Sequence, residues 1–272
     1  MTVYTTEFPN PLLEVNVWRK MKDIDLVAEQ VLTRPESFRI PNLPGRDVPL
    51  RKEGERDGGR KGLSQKDGRA RLLHDLVGIE LQAFELGLRT LIEYPEAPKF
   101  FREELLKITL EEAKHLKLCL EALKRMGYEF GHWNTHLHLW QSVATKEPLL
   151  DRIVIVHRYL EGAGLDASEM LLNRLTGVDD PVLKQVLKVI AEEEVDHVRF
   201  GSQWFQKLVK ESGADPDEDF KVRMDRIKHQ VPARHIPLAK ETRKKAGFSD
   251  GELETAEAVR VYFLTEPPLP RR

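Results

Sequence analysis

The sequence predicts an all-α protein built on a four-helix bundle. Three observations carry this expectation. Four long segments place apolar residues at helical spacing. Each is bounded by helix start and stop signals. Two short turns and one long crossover, between the second and third helices, join them.

The first helix begins at Ser64, with Asp67 three residues on as an acidic variant of the capping box, and runs to about Tyr94. Pro95 and Pro98 make a tight turn. The second helix follows and stops at Gly127. The crossover, Tyr128 to Glu147, carries aromatics and histidines. The third helix starts near Pro148 and ends before Gly177. Asp180-Pro181 reads as an N-cap followed by an N1 proline, and opens the fourth helix, which runs to about Lys210.

Residues 64–211 are therefore the bundle, and the rest is appended to it. Residues 1–63 are rich in Pro, Gly and Arg, with nine basic and five acidic residues between Pro44 and Arg71. That composition cannot bury a core alone, so an extended or loosely wrapped basic arm is expected, with a short helix from Asp23 to Thr33. Residues 212–272 read as a helical extension packed on the bundle. Pro237 opens one helix that stops at Gly247, and the capping box Ser249-x-x-Glu252 opens another that reaches about Phe263.

Composition sets the outer bounds. Of 272 residues, 40% are hydrophobic and 32% charged, which suits a folded chain and not a disordered one. No stretch approaches the roughly 18 uncharged apolar residues of a membrane span. Met1 to Lys20 lacks a basic region followed by an apolar core, so no secretory signal is read, and a cytoplasmic location is expected. Cys119 is the single cysteine, which excludes an intramolecular disulfide and any cysteine-based zinc or iron–sulfur site. The net charge of −2 gives no general attraction to nucleic acid. The basic arm reads more readily as a solvated tail than as a nucleic-acid contact.

A glutamate sits in the middle of every apolar stripe. In the first helix the stripe is Leu73, Val77, Glu80, Phe84, Leu88, Leu91; in the second it is Leu105, Ile108, Glu112, His115, Cys119, Ala122. In the third it is Val154, His157, Glu161, Leu165, Ser168, Leu172; in the fourth it is Leu187, Ile190, Glu194, His197, Gly201, Trp204. Carboxylates do not stay ionised in an apolar core without compensation. No Lys or Arg lies on these stripes within a turn of the glutamates, so metal ions are the expected counter-charge.

The spacing agrees. The second and fourth helices each carry Glu-x-x-His, at Glu112/His115 and Glu194/His197, and residues three apart share one helix face. Glu80 precedes Glu112 by 32 residues and Glu161 precedes Glu194 by 33, so each antiparallel pair brings its glutamates to one height. One Glu from each of two helices, with Glu-x-x-His from each of the other two, is the di-metal carboxylate pattern of ferritin-like bundles. With 29 Glu and 9 His, about one Glu-x-x-His is expected by chance, and three occur. The third, Glu129/His132, lies beyond the Gly127 stop and is set aside. The expected ligands are Glu80, Glu112, His115, Glu161, Glu194 and His197.

Neighbouring groups carry lesser expectations. Glu85 is an alternative ligand on the first helix. His157, one turn before Glu161, reads as a hydrogen-bonded core histidine or a supporting group. His74 and Asp196 are candidates to orient ligands, with Asp196 equally a solvated residue. His136-x-His138 reads as packing or surface. Gly162 and Gly164, beside Glu161, suggest close packing or a local bulge that re-aims the side chain.

Several segments also resemble an uncharacterised bacterial family of ferritin-like proteins, described as a domain of unknown function and distantly similar to the tRNA hydroxylase MiaE. They are Gly78–Ala83, Tyr94-Pro95-Glu96-Ala97-Pro98, Glu111–His115, Leu160–Asp166, Glu194–Val198 and Ala246–Ser249. The resemblance covers roughly residues 40–250. Gly78 departs from it, at a position where a histidine is usual. The resemblance implies a ferritin-like fold and a di-iron or related site, and no established substrate.

Oxygen-rich ligation with two imidazoles suits iron or manganese. Glu112 and Glu194 are expected to bridge two ions, His115 and His197 to cap one each, and Glu80 and Glu161 to be terminal or shifting ligands. The first functional expectation is a non-haem di-iron oxidoreductase that activates dioxygen: a hydroxylase or oxidase of a small or nucleotide-like substrate, supplied by an electron donor. The second is a di-manganese or di-iron enzyme that consumes peroxide, or a ferroxidase. A storage cage is disfavoured because the arm and tail would encumber packing. The third is a helical interaction protein without catalysis.

Overall fold

The structure, a computed structural model, describes residues 9–51, 61–145 and 147–266. Residues 1–8 and 52–60 of the arm, the latter with Gly54, Gly58 and Gly59, lie outside the described residues. Among the described residues every regular element is helical, apart from one isolated parallel bridge between Leu50 and Thr135. None of these helices is long and apolar enough to cross a membrane. The chain divides into two compact units, one of residues 1–57 and 74–136, the other of residues 58–73 and 137–272.

The first unit is a long helical hairpin with the N-terminal region packed on it. Helix α1 (Val17–Lys20) is capped by Asn16, whose side chain accepts from the amides of Trp18 and Arg19 at 3.1 and 3.2 Å. Helix α2 (Ile24–Thr33) buries Val27, Ala28 and Val31, and Arg102 donates to the Leu32 carbonyl at 2.7 Å. Residues 9–51, expected as an extended or loosely wrapped arm with one short helix, bury apolar side chains and tie themselves to the hairpin. Helix α3 (Lys66–Glu93) begins two residues after Ser64, and Asp67 pairs with Lys61. Helix α4 (Lys99–Arg125) returns antiparallel after the Tyr94–Pro98 turn. Gly87 lets the two helices approach, since a Cβ there would meet Thr109 Oγ1 at 2.3 Å. Gly127, at φ +80°, ends α4, with the Tyr128 amide reaching back to the Leu123 carbonyl.

The second unit holds the other pair of long helices and the tail. The third expected helix is continuous but not uniform. Helix α5 (Leu149–Ile153) passes into a π-helical segment (Val154–Leu160) and then α6 (Glu161–Arg174). Helix α7 (Pro181–Glu211) opens as expected on Asp180, which accepts from the Leu183 amide at 3.0 Å and pairs with Arg69 at 2.8 Å. Helix α8 (Pro216–Ile227) is capped by Asp215 with a proline at N1, a start signal the sequence reading passed over. Helix α9 is only Lys240–Lys245, shorter than Pro237 suggested, and Asp166 accepts from the Ala239 amide at 2.8 Å just before it. Helix α10 (Asp250–Thr265) starts on Ser249 with both bonds of the capping box present.

Candidate metal centre

On the first hairpin, the stripes place Glu80 (α3) and Glu112 and His115 (α4) in the interior, exposed by 3%, 2% and 0%. The His115 Nδ1 lies 3.6 Å from Glu80 Oε2 and 3.9 Å from Glu112 Oε2. One turn beyond, burial pushes the Cys119 thiol well above its ordinary range, and the negative charge of Glu80 adds to the shift. Cys119 is a fully buried core residue.

The second unit repeats the Glu-x-x-His pair. On α7, Glu194 and His197 are buried, and His197 Nδ1 lies 3.5 Å from Glu194 Oε1. On the facing helix, His157 Nδ1 meets both oxygens of Glu161, at 2.8 and 2.9 Å. The π segment widens the helix by one residue immediately before Glu161, and so sets where that carboxylate points. This is the local irregularity that the glycines hinted at. Gly201 is part of the same fitting: a Cβ there would lie 2.4 Å from His157 Cβ.

Glu112, His115, Glu194 and His197 form a buried group in which one ligand atom from each lies within 4.8 Å of the others, so the cluster can hold a metal ion. Glu80 reaches it through His115, and Glu161 stands against His157; neither belongs to that group of four. The donor set fits a metal. Two ligands each about 2.1 Å from one ion, at angles of roughly 110–125°, are about 3.4–3.7 Å apart. The imidazole–carboxylate distances of 3.5–3.9 Å are close to that spacing and longer than hydrogen bonds.

The lesser candidates separate cleanly. Glu85 is fully buried but is held by Lys20 Nζ at 2.5 Å and by both terminal nitrogens of Arg46 at 2.5 Å, so its charge is already matched. Asp196 is exposed and pairs with Arg199, which is the solvated reading. His74 accepts from the amides of Gly131 and Trp133 at 3.0 and 3.4 Å, and so orders the start of the crossover and no ligand. His157 holds the Glu161 carboxylate through both of its oxygens. Glu129, of the third Glu-x-x-His, is exposed past the end of α4. The His136 and His138 carbonyls anchor Gln82 and Ser142. Lys20 and Arg46 were missed because they lie 65 and 39 residues from Glu85, with no periodicity to connect them.

Fold and site together define a helical protein with a buried carboxylate–histidine cluster able to bind metal. The chain belongs to a family described as proteins of unknown function (DUF455), whose model matches residues 13–254. It is similar to an uncharacterised protein of Haemophilus influenzae, 29% identical over 203 residues, covering 72% of this chain and 70% of that one. No solved structure matches.

Proposed function

We propose that the protein has a ferritin-like fold with a di-metal carboxylate centre, and that it is a non-haem di-iron oxidoreductase that activates dioxygen. The observation that carries this reading is the buried Glu112–His115–Glu194–His197 group. Glu112/His115 and Glu194/His197 would hold the metals, with Glu80 and Glu161 as the remaining proposed ligands. Iron bound there supplies the capacity to bind dioxygen and pass electrons to it.

The chain's own residues do the rest. His157 fixes the Glu161 carboxylate through both of its oxygens. Val77 and Phe84 on α3, and Leu187 and Ile190 on α7, are almost fully buried on the same stripes as Glu80 and Glu194. A small or nucleotide-like substrate rests on the family resemblance alone.

The test is metal content of protein purified without chelator and after reconstitution with Fe(II) or Mn(II). About two equivalents are expected, and Glu112→Ala or His197→Ala should abolish them. Rapid oxygen uptake by the ferrous protein favours the oxygenase or oxidase reading. Oxygen evolution from peroxide would instead assign a peroxide-consuming manganese or iron enzyme. Less than about 0.2 equivalents after reconstitution would leave only a helical interaction protein.

A further inference from the structure

A groove of about 640 Å³ lies wholly within the first unit, where the N-terminal region meets the end of α4. Helix α1, the segment 47–49, the last turns of α4 and the turn 127–132 line it. These walls are tied to one another. The Asp47 amide donates to the Val15 carbonyl at 3.2 Å, and Asn16 Nδ2 donates to Asp47 Oδ2 at 3.2 Å. The Thr135 amide donates to the Pro49 carbonyl at 2.9 Å, and the Arg51 amide to the Thr135 carbonyl at 2.6 Å. His74 holds the turn itself, through the amides of Gly131 and Trp133.

The groove presents aromatic rings and unpaired charges. Trp18 is 44% exposed there. Tyr128 stacks on Trp133 with ring centres 5.2 Å apart, and Phe130 packs against His74 at 5.1 Å, so neighbouring rings fix both. The lining carboxylates are Asp47 and Glu129 and the one lysine is Lys124; all three are exposed, and none forms an ion pair among the described residues. Arg46, next to Asp47, is turned to Glu85. Lys124 lies in the last turn of α4, where the negative end of the helix favours a cation. The two carboxylates have no such counterweight, so with His132 neutral the lining charges of two acids and one lysine leave one negative in excess. Glu129 and His132 are the third Glu-x-x-His, but among the described residues no group of three metal-ligating side chains gathers there. The cation this lining calls for is therefore organic.

We propose that the groove binds an organic monocation with a planar aromatic body, an arylalkylamine, its ring lying on Trp18 and Tyr128 and its ammonium drawn by Asp47 and Glu129. A cation is attracted to an aromatic face as well as to a carboxylate, and a flat ring stacks on another, so both halves of such a ligand find partners. The volume falls within the roughly 300–1,000 Å³ of ordinary small-molecule sites and admits a two-ring body. An anion of the same shape would meet two carboxylates. The site is separate from the carboxylate–histidine cluster, since no residue of that group lines it.

The test is calorimetric titration of the full-length protein at neutral pH with three ligands of one shape: tryptamine, a cation; tryptophol, neutral; and indole-3-propionate, an anion. Tryptamine should bind about tenfold tighter than tryptophol, and indole-3-propionate more weakly than either. Raising the salt from about 0.01 to 1 M cuts the screening length roughly tenfold and should remove most of the advantage of tryptamine over tryptophol. The double variant Asp47→Asn, Glu129→Gln keeps the shape and the acceptor for Asn16, and should bring tryptamine down to the level of tryptophol. Trp18→Ala should weaken both by about fivefold or more, with a melting curve to show that the variant is folded. Tryptamine binding no tighter than tryptophol, an advantage that survives in the double variant, or affinities unchanged in folded Trp18→Ala overturns the proposal.

Discussion

Replacing Glu85 by glutamine tests the assignment of roles on α3 most directly. Glu85 is fully buried and accepts from Lys20 and twice from Arg46, each at 2.5 Å. Glutamine keeps the shape and removes the anion, leaving two cations facing a neutral amide. Removing one partner of a buried ion pair costs about 3–5 kcal/mol. The amide oxygen still accepts one bond, which returns about 1 kcal/mol, so Glu85→Gln should cost about 2–4 kcal/mol in urea unfolding at pH 7.

The pH dependence has a definite sign. Burial already holds Lys20 below the ordinary lysine range, outweighing the pull of Glu85. Between that lowered folded value and the unfolded value of about 10.4, the unfolded chain binds a proton that the folded one has released, so stability rises with pH. Without Glu85 the folded value falls further and the window opens at lower pH. The deficit of Glu85→Gln should therefore shrink as pH rises from 7 toward 10. Metal content should be unchanged, whereas Glu80→Gln should lower it. A cost below about 1 kcal/mol, or a deficit that grows with pH, refutes the electrostatic account. Loss of metal from Glu85→Gln with retention in Glu80→Gln refutes the ligand assignment.

Other expected outcomes follow from single contacts. Gly87→Ala places a Cβ against Thr109 and should cost about 1–3 kcal/mol by thermal or urea unfolding; in a Thr109→Ala background the cost should fall by more than half. Asp180→Ala loses the Leu183 cap and the Arg69 pair, and should cost about 1–2 kcal/mol in the same assay. Asp196→Ala, on an exposed face, should leave stability within about 0.5 kcal/mol and metal content unaltered, although it sits next to His197.

Features written in helical periodicity were legible before any coordinates. The stripes of α3, α4 and α7, the Asp180-Pro181 start, the Gly127 stop and the Ser249 box each depend on residues within a few positions of one another. So does Glu-x-x-His, which is why both copies could be placed on interior faces. Long-range pairing was not legible. Nothing near Glu85 announces that Lys20 and Arg46 will reach it, so one buried glutamate looked much like another five residues away. The π segment was legible only as a suspicion from Gly162 and Gly164. The residues fitted around it are far apart in sequence: Gly201 on a different helix leaves room for His157, and Gly162 leaves room for the Arg243 guanidinium. Helix α8 was passed over despite Asp215-Pro216 and the acids Asp217, Glu218 and Asp219 in its first turn. Those acids are where a helix N-terminus favours negative charge.

The buried acids themselves supply the comparison on which the metal reading turns. Glu85, Asp151, Asp166 and Glu252 each lie 2.5–2.8 Å from Lys or Arg nitrogens. Glu80, Glu112 and Glu194 stand 3.5–3.9 Å from imidazole nitrogens, and Glu112 and Glu194 each offer an oxygen to the buried group whose ligand atoms lie within 4.8 Å of one another. Two carboxylates that close repel in a dry interior unless a cation lies among them. Neutralising one should then relieve the metal-free protein: Glu112→Gln, stripped with chelator, should be about 1–2 kcal/mol more stable than the stripped parent. Adding Fe(II) or Mn(II) should raise the melting temperature of the parent and not of the variant. Glu85→Gln carries the opposite signature, destabilised with or without metal and still stabilised by adding it. If Glu112→Gln lowers the stability of the stripped protein as much as Glu85→Gln does, Glu112 is an ordinary structural carboxylate and the cluster is not a metal centre.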